Sequence, residues 1–591
     1  MRRGGVLFAA VAALSVGAPT AFAQDAQRPQ PEAATGFEAR EAVTSRSDMV
    51  VAAHPLAAEA GAEILGEGGS AIDAMIATQL VLGLVEPQSS GIGGGAFLIH
   101  HDAASGRMVA YDGRETAPAA AGGDLFLGED GQPLAFLDAV VGGRSVGTPG
   151  TIRLLELSHR LHGRLPWERL FEPAIRLAED GFEVGDRLAS LVAGDRDNMR
   201  QDAIRDYFLP EGQPIAAGST LRNPDYAATL RAIAADGASA FYSGEIAEDI
   251  VQAVQGFEAN PGLLETQDLA NYRVAVREPV CAPFQVYEVC GMGPPSSGAL
   301  TLGQTLALLD HFDLASLDPM SAEATHLFVE ASRLAYADRA LYMADEDFVR
   351  VPTAGLLDPA YLTARAQGIS PVRAAEEVVA GNPPWREAKL RAPDRSLELP
   401  STSHVSIVDR DGNAVSLTTT IEAGFGSRLM VRGFLLNNEL TDFSFVAEEE
   451  GRAVANRVEP GKRPRSSMAP TIVLDRGGDP VLVVGSPGGA RIIPYVARTI
   501  LGTLLWDLDP QEAVSLPHVT TLGGPVDLEE GRVPAGLAEA LTELGHEVRQ
   551  MELTSGTHAI LIRDGELVAG VDPRREGAAV SSENADAAGE D

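Results

Sequence analysis

Hydrophobic and polar residues follow two different periods along this chain, and the change of period marks its elements. A short, continuous apolar run at 50–53 reads as a strand. Next come two stretches at helical spacing, 55–65 and 71–84, separated by Gly66-Glu67-Gly68-Gly69, with Ser70 placed to cap the second. A glycine-rich turn, Gly91-Ile92-Gly93-Gly94-Gly95, leads into a strand over 97–100. Apolar residues then recur at i, i+3 and i+4, which predicts amphipathic helices over 151–162, 167–180, 225–236 and 321–345. The stretch 390–400 is polar and punctuated by proline, and reads as an exposed connector. A β-rich region over 402–484 follows, ending in a strand over 481–484, and then a helix over 492–506. The tail 574–591 is polar and acidic and reads as disordered. Helices and strands mixed in this way predict a layered α/β or α+β architecture.

The segment from Thr402 to Glu422 reads as a β-hairpin, and its register can be argued. A two-residue loop at Asp411-Gly412 would set Val405 against Thr418 and Ile407 against Ser416, mixing apolar with polar. A three-residue loop, Arg410-Asp411-Gly412, with Gly412 in the left-handed conformation, shifts the pairing by one. Val405 then faces Leu417 and Ile407 faces Val415, while Thr402 meets Thr420, His404 meets Thr418 and Ser406 meets Ser416. The second register separates the two faces, and a slip of one residue would scramble both. On its own, such a hairpin is equally at home on a surface with its hydroxyls toward water. A cut before Thr402 would give that threonine a free amine, and so a base of its own for acyl transfer.

Composition narrows the function. The chain has 591 residues, 45% of them hydrophobic, ample for a packed core. A net charge of -37 argues against nucleic acid or anionic lipid as a partner, because phosphate would repel it. Arg2 and Arg3, the apolar run 6–16 and Ala21-Phe22-Ala23 read as a secretory signal over 1–23, so the mature chain is expected to start near Gln24 and to be exported, periplasmic or secreted. Cys281 and Cys290 are the two cysteines, and an oxidising compartment permits a disulfide between them. Their spacing is not that of a zinc or redox motif. The glycine-rich turn at 91–95 precedes a strand, whereas a dinucleotide fingerprint follows one and opens a helix. The sequence contains no His-Glu-x-x-His, which removes the zincin reading.

Thr402-Ser403-His404-x-Ser406, Gly412-Asn413-x-Val415-Ser416-x-Thr418-x-Thr420-Ile421-Glu422 and Phe425-Gly426 together resemble the small-subunit signature of the gamma-glutamyltransferases (gamma-glutamyltranspeptidases). The likeness continues at Asp112-Gly113-Arg114-Glu115-x-Ala117-Pro118, Pro294-Pro295-Ser296-Ser297-Gly298, Leu436-Asn437-Asn438-Glu439-x-x-Asp442-Phe443, Arg463-Pro464-x-Ser466-Ser467-Met468-x-Pro470 and Gly485-Ser486-Pro487-Gly488-Gly489. These runs span nearly the whole mature chain in the family's order.

The resemblance implies an α+β fold, the four-layer αββα sandwich of the N-terminal nucleophile hydrolases. It also implies a precursor that cuts itself between Ser401 and Thr402 into a large subunit, 24–401, and a small subunit, 402–591, which stay together as a heterodimer. Thr402 would then attack a γ-glutamyl amide such as that of glutathione and pass the glutamyl group to water or to an amino acid or peptide, with no cofactor and no metal. Thr420 would hydrogen-bond Thr402 and tune it, and the backbone N–H groups at Gly488 and Gly489 would hold the oxyanion. Arg114 would fork onto the α-carboxylate beside Ser466 and Ser467, and Glu439 and Asp442 would receive the α-ammonium. Glu422 stands where many glutathione-active members carry asparagine, which bears on donor preference. The stretch 444–461 corresponds to the lid of some members and is short here. Two alternatives stand beside this reading: an acylase of the same fold acting on glutaryl-type amides, like the cephalosporin acylases, and an uncut binding protein.

Overall fold

The computed structural model describes residues 34–385, 391–396, 398–399 and 401–585; the expected signal over 1–23 lies outside them. Two seven-stranded sheets form the centre. The first runs in the order Ala578–Val580, Met49–Ala52, Ser403–Val408, Ala414–Thr420, Gly95–Asp102, Arg107–Gly113, Ala275–Arg277. The second runs Val43–Ser45, Glu566–Val571, His558–Arg563, Pro480–Gly485, Thr471–Leu474, Tyr287–Gly291, Val280–Phe284. Neighbouring strands in both are antiparallel.

The period-2 alternation of the strands decides which layer each side chain enters. In the first sheet Val50, Ala52, Leu98, Val405 and Leu417 join a core with the helices Pro55–Gly66 and Ala71–Val85. Met49, Val51, Phe97 and Ile99 point the other way, into a second core with Ile472, Val483 and Ile560 of the facing sheet. The helices Gly298–Leu309 and Ile492–Leu504 pack on the far side of that sheet and complete four layers, αββα.

The hairpin adopts the expected register, Val405 against Leu417, Ser406 against Ser416 and Ile407 against Val415. Gly412 closes the three-residue loop at φ 84°, donating its N–H to the Asp409 carbonyl at 2.9 Å. Its polar row faces no solvent. Ser416 Oγ donates to the Val484 carbonyl across the sheet interface at 3.2 Å and accepts the Thr471 N–H at 3.0 Å.

The cap at Ser70 is a full capping box with Asp73. The expected helix over 167–180 is two pieces, a 3-10 turn Trp167–Phe171 and a helix Glu172–Asp180, because Pro173 in the second helix's first turn lacks an N–H to continue the first. Cys281 and Cys290 pair across neighbouring strands and are disulfide-bonded.

Two expectations are corrected. Among its described residues the connector over 390–400 is only partly exposed: Ala392, Asp394 and Glu398 are buried, the two acids in ion pairs to arginines. Within the tail over 574–591, the described residues 574–585 are ordered. Arg574 is buried against Glu529 and Asp572, and Ala578–Val580 forms the edge strand beside Met49–Ala52. Polar composition hid both because each polar group finds a partner far away in sequence: Ser582 donates its N–H and hydroxyl to Asp48 at 2.7 and 2.6 Å.

Candidate active site

Thr402 precedes the strand Ser403–Val408 at the centre of the first sheet and is buried, still joined to Ser401. Its register neighbour Thr420 ends the adjacent strand, Ala414–Thr420. The Thr420 hydroxyl accepts the Glu422 N–H at 2.7 Å and donates to the Ser401 carbonyl at 2.9 Å. The expected bond to Thr402 is therefore, in the uncut chain, a bond to the peptide carbonyl immediately before it. Ser401 Oγ donates to the Gln88 carbonyl at 2.9 Å, fixing the residue before the junction. The glycine-rich turn lies underneath. A Cβ on Gly94 would sit 2.0 Å from the Thr420 carbonyl oxygen, so the turn serves close backbone approach. His404 is engaged inside the hairpin, 2.9 Å from Thr418 Oγ1 and 3.0 Å from Ser406 Oγ, and burial holds it neutral.

Next to the junction a single guanidinium sits among four buried carboxyl groups, Glu115, Glu422, Glu439 and Asp442. Arg114 pairs with Glu439 and Asp442 and donates to the carbonyls of Pro464 and Arg465 at 3.2 and 2.9 Å. Burial opposes its charge, but Glu439, Asp442 and Glu115 outweigh that and keep it protonated. One cation cannot neutralise four acids. Burial raises all four carboxyls, and their mutual repulsion adds to it: Glu115 and Glu422 are raised by Glu439, Asp442 by Glu422, and Glu422 reaches about 8. Glu422, at a left-handed φ of 77°, accepts the Leu399 N–H at 3.3 Å and the Asn438 side-chain amide at 2.5 Å.

Opposite this cluster, the segment 466–468 carries the two serines. Ser466 Oγ accepts the Met468 N–H at 3.1 Å, and its carbonyl takes the Ser297 hydroxyl at 2.8 Å. Ser467 Oγ donates to Glu398 and accepts from Arg339 Nη2 at 2.6 Å. Gly488 and Gly489, at φ 136° and 56°, lie between the strand Pro480–Gly485 and the helix Ile492–Leu504. A Cβ on Gly489 would come within 2.6 Å of the Leu399 carbonyl, so the backbone before the junction rests directly on this turn.

Arg114, Thr402, Thr420, Glu422, Glu439, Asp442, Ser466, Ser467 and Gly489 therefore line one cavity together with Ser401, and Gly488 is next in the chain. In the uncut chain about 20 Å³ of it is open, roughly one water's worth, with Glu398, Leu399 and Ser401 among its walls. Cys281 and Cys290 lie elsewhere, toward the edge of the second sheet. Glu115, Asn438, Arg339, Arg465 and Glu398 are the members that sequence reasoning did not assign to the site. Glu115 and Asn438 stand inside the quoted motifs beside Arg114 and Glu439, and adjacency was their signal. Arg339 lies on a helix and Glu398 in a polar connector, with nothing local to mark either.

With this geometry in place, likeness to known proteins can be weighed. The sequence pattern of the Gamma-glutamyltranspeptidase family matches residues 57–582. The chain is 40% identical over 518 residues to a glutathione hydrolase proenzyme of Bacillus subtilis (strain 168), covering 86% of each. It is 36% identical over 581 residues to a glutathione hydrolase proenzyme of Escherichia coli (strain K12), covering 96% of this chain and 97% of that one. Among solved structures, a cephalosporin acylase from Bacillus halodurans superposes with a TM-score of 0.80 at 26% identity, over 93% of this chain and 99% of that one.

Proposed function

The chain belongs to the gamma-glutamyltranspeptidase family, and from that premise we propose that it cuts itself before Thr402 and then hydrolyses or transfers γ-glutamyl groups, from glutathione among other donors. In the cutting step the Thr402 hydroxyl adds to the Ser401 carbonyl that Thr420 already polarises. Charge growing on that oxygen strengthens the Thr420 bond. The acyl group of Ser401 passes from nitrogen to Thr402 Oγ1 as the hydroxyl proton passes to that nitrogen, and water hydrolyses the resulting ester, leaving Ser401 as a carboxylate and Thr402 with a free amine. An α-amine has a reference pKa of about 7.7–8.0, so near neutral pH it can take the proton from its own hydroxyl. Thr402 Oγ1 then adds to the γ-carbonyl of the donor, the Gly488–Gly489 turn receives the oxyanion, and the amine protonates the departing amide nitrogen. The acyl ester is released to water or to an incoming amine by the reverse steps.

The observation that carries the γ-glutamyl reading is the charge imbalance in the cavity. Glu422, Glu439 and Asp442 line it with Arg114 alone, Glu115 stands beside them, and an arriving ammonium supplies the counter-charge that favours the ionised form of these crowded acids. A glutaryl amide is the same acyl chain without the ammonium. The structural likeness to a cephalosporin acylase favours it as the second reading. Turnover of a γ-glutamyl anilide against a glutaryl amide by processed enzyme separates the two: at least ten-fold higher kcat/KM for the γ-glutamyl donor is expected, and the reverse order defeats the first reading. The same premise makes the product a heterodimer of chains 24–401 and 402–591, exported and periplasmic or secreted. Among the described residues no helix is long and apolar enough to cross a membrane.

A further inference from the structure

Arg575 does not line the donor cavity, yet its Nη1 donates to the Thr402 carbonyl at 3.4 Å. It is almost wholly buried and comes from the turn between the strands Glu566–Val571 and Ala578–Val580. Its backbone is fixed there: Arg40 Nη2 donates to the Arg575 carbonyl at 2.9 Å, and the Arg575 N–H donates to the Asp572 carbonyl at 3.4 Å. Its stem lies against Gly556, where a Cβ would come within 2.9 Å of Arg575 Cδ and 2.6 Å of Pro487 Cγ. The stem therefore passes next to the segment that leads into Gly488 and Gly489. Burial pulls the guanidinium down to about 9, which leaves it charged at neutral pH. The cut changes the amine side of Thr402. Its carbonyl side leads into the strand Ser403–Val408, which is paired on both edges, so the contact with Arg575 outlasts the cut.

We propose that Arg575 is a positioning residue of the reaction: bonded to the Thr402 carbonyl, it sets a positive charge against the new α-amine and keeps that amine unprotonated, able to act as the base. The inference rests on the self-cutting reading above. The other charged groups around Thr402 do not supply this. On the cavity side Glu115, Glu422, Glu439 and Asp442 outnumber Arg114, and their field favours an ammonium. Glu398 has Arg339 and Arg465 as counter-ions. Glu86 accepts from Ser403 Oγ at 3.4 Å and has Arg187 at 3.1 Å. His404 and His558, the latter 2.9 Å from the His404 carbonyl, are held neutral by burial. The amine nitrogen and carbonyl oxygen of one residue lie about 3 Å apart, so the guanidinium stands within about 7 Å of the amine. At that range, with an effective dielectric constant of about 20–40, a like charge moves the protonation of the amine by about one to two pH units. Arg575 thus offsets the acids that the donor pocket needs for its ligand.

The test compares the wild-type chain, Arg575→Met and Arg575→Lys after self-cutting, and follows kcat/KM for a γ-glutamyl anilide from about pH 5 to about pH 10. Activity that needs a neutral amine falls as pH drops through the pKa of that amine. In the wild type this acid limb is expected at or below about 7.7–8.0, the reference for an α-amine. In Arg575→Met it is expected about one to two pH units higher, so the rate at about pH 6.5 drops about ten-fold or more while the high-pH plateau changes little. Arg575→Lys keeps the charge and is expected to restore most of the difference. Arg575→Gln takes the place of the methionine variant if that one does not fold or is not cut, and the wild-type limb needs no variant. Glu422 also titrates near 8, so the pair is repeated in a Glu422→Gln background, where the same displacement is expected. A rate lowered equally at every pH, with the limb in place, overturns the proposal, and so does a wild-type limb above about 8. The two readings fail differently. If the wild type yields no chain beginning at Thr402, the self-cutting reading falls and this inference with it; if that chain forms and the limb does not move, the role of Arg575 falls alone.

Discussion

Thr420 is fixed from both sides by polypeptide, its oxygen taking the Glu422 N–H and its hydrogen given to the Ser401 carbonyl. Replacing it with valine keeps the shape and removes the donor. Thr420→Val is expected to slow the appearance of a chain beginning at Thr402 by ~10²–10³-fold, the usual cost of one oxyanion donor, while Thr420→Ser keeps most of the rate. Timed denaturing gels check both. Thr402→Ala is expected to leave a single band and no turnover. Glu422 carries a pH signature. Burial and the neighbouring Glu439 push its carboxyl from 4.5 up to about 8. A carboxyl whose folded pKa lies above its unfolded one binds its proton more tightly when folded. Its stabilising share is thus full below about 4.5 and is lost as pH rises toward 8. In the uncut Thr402→Ala chain, Glu422→Gln is expected to raise the urea midpoint at about pH 8.5 and to change it little at about pH 4.

The hairpin positions these residues because its two faces serve different neighbours. Val405, Ile407, Val415 and Leu417 pack under the helices, while Ser406, Ser416, His404 and Thr418 satisfy one another and the facing sheet. A hydroxyl row buried between sheets needs every partner, which makes the register stringent. Two glycines test the arrangement. Gly412 at φ 84° makes Gly412→Ala cost about 1 kcal/mol of stability by chemical denaturation, with cutting preserved. Gly94→Ala drives a methyl group into the Thr420 carbonyl, so it is expected to stop cutting even where the fold survives, read as an intact chain on a denaturing gel.

At the scale of the whole molecule, both central sheets interleave strands from the two sides of residue 402. The first sets Met49–Ala52 beside Ser403–Val408, and Gly95–Asp102 beside Ala414–Thr420; the second pairs Tyr287–Gly291 with Thr471–Leu474. Breaking one peptide bond removes none of these ladders, so the two products are expected to elute together in native chromatography and part only in denaturant. The edge strand Ala578–Val580 closes the first sheet, and Ser581 and Ser582 satisfy the buried Asp48. Ending the chain after Glu576 is expected to destabilise it by about 1–3 kcal/mol, the cost of a buried acid stripped of its hydrogen-bond donors Ser581 and Ser582. A lowered urea midpoint checks it.

The sequence by itself determined the elements whose information is local. Ser70 announces its cap, the Asp411-Gly412 pair sets the hairpin loop, and the alternation around it sets the register. It also determined the identity of the residues that meet in the cavity, because their motifs stand in order along the chain. Tertiary structure alone decided where the polar side chains go. Glu398 of the polar connector is buried because Arg339 and Arg465 arrive from 59 and 67 residues away, and the described part of the tail is ordered because Asp48 waits more than 500 residues upstream. Apolar periodicity is written in neighbouring residues. The pairing of buried charges is not, since it exists only once the chain has brought distant side chains within a few ångströms and excluded the water that would otherwise solvate each of them.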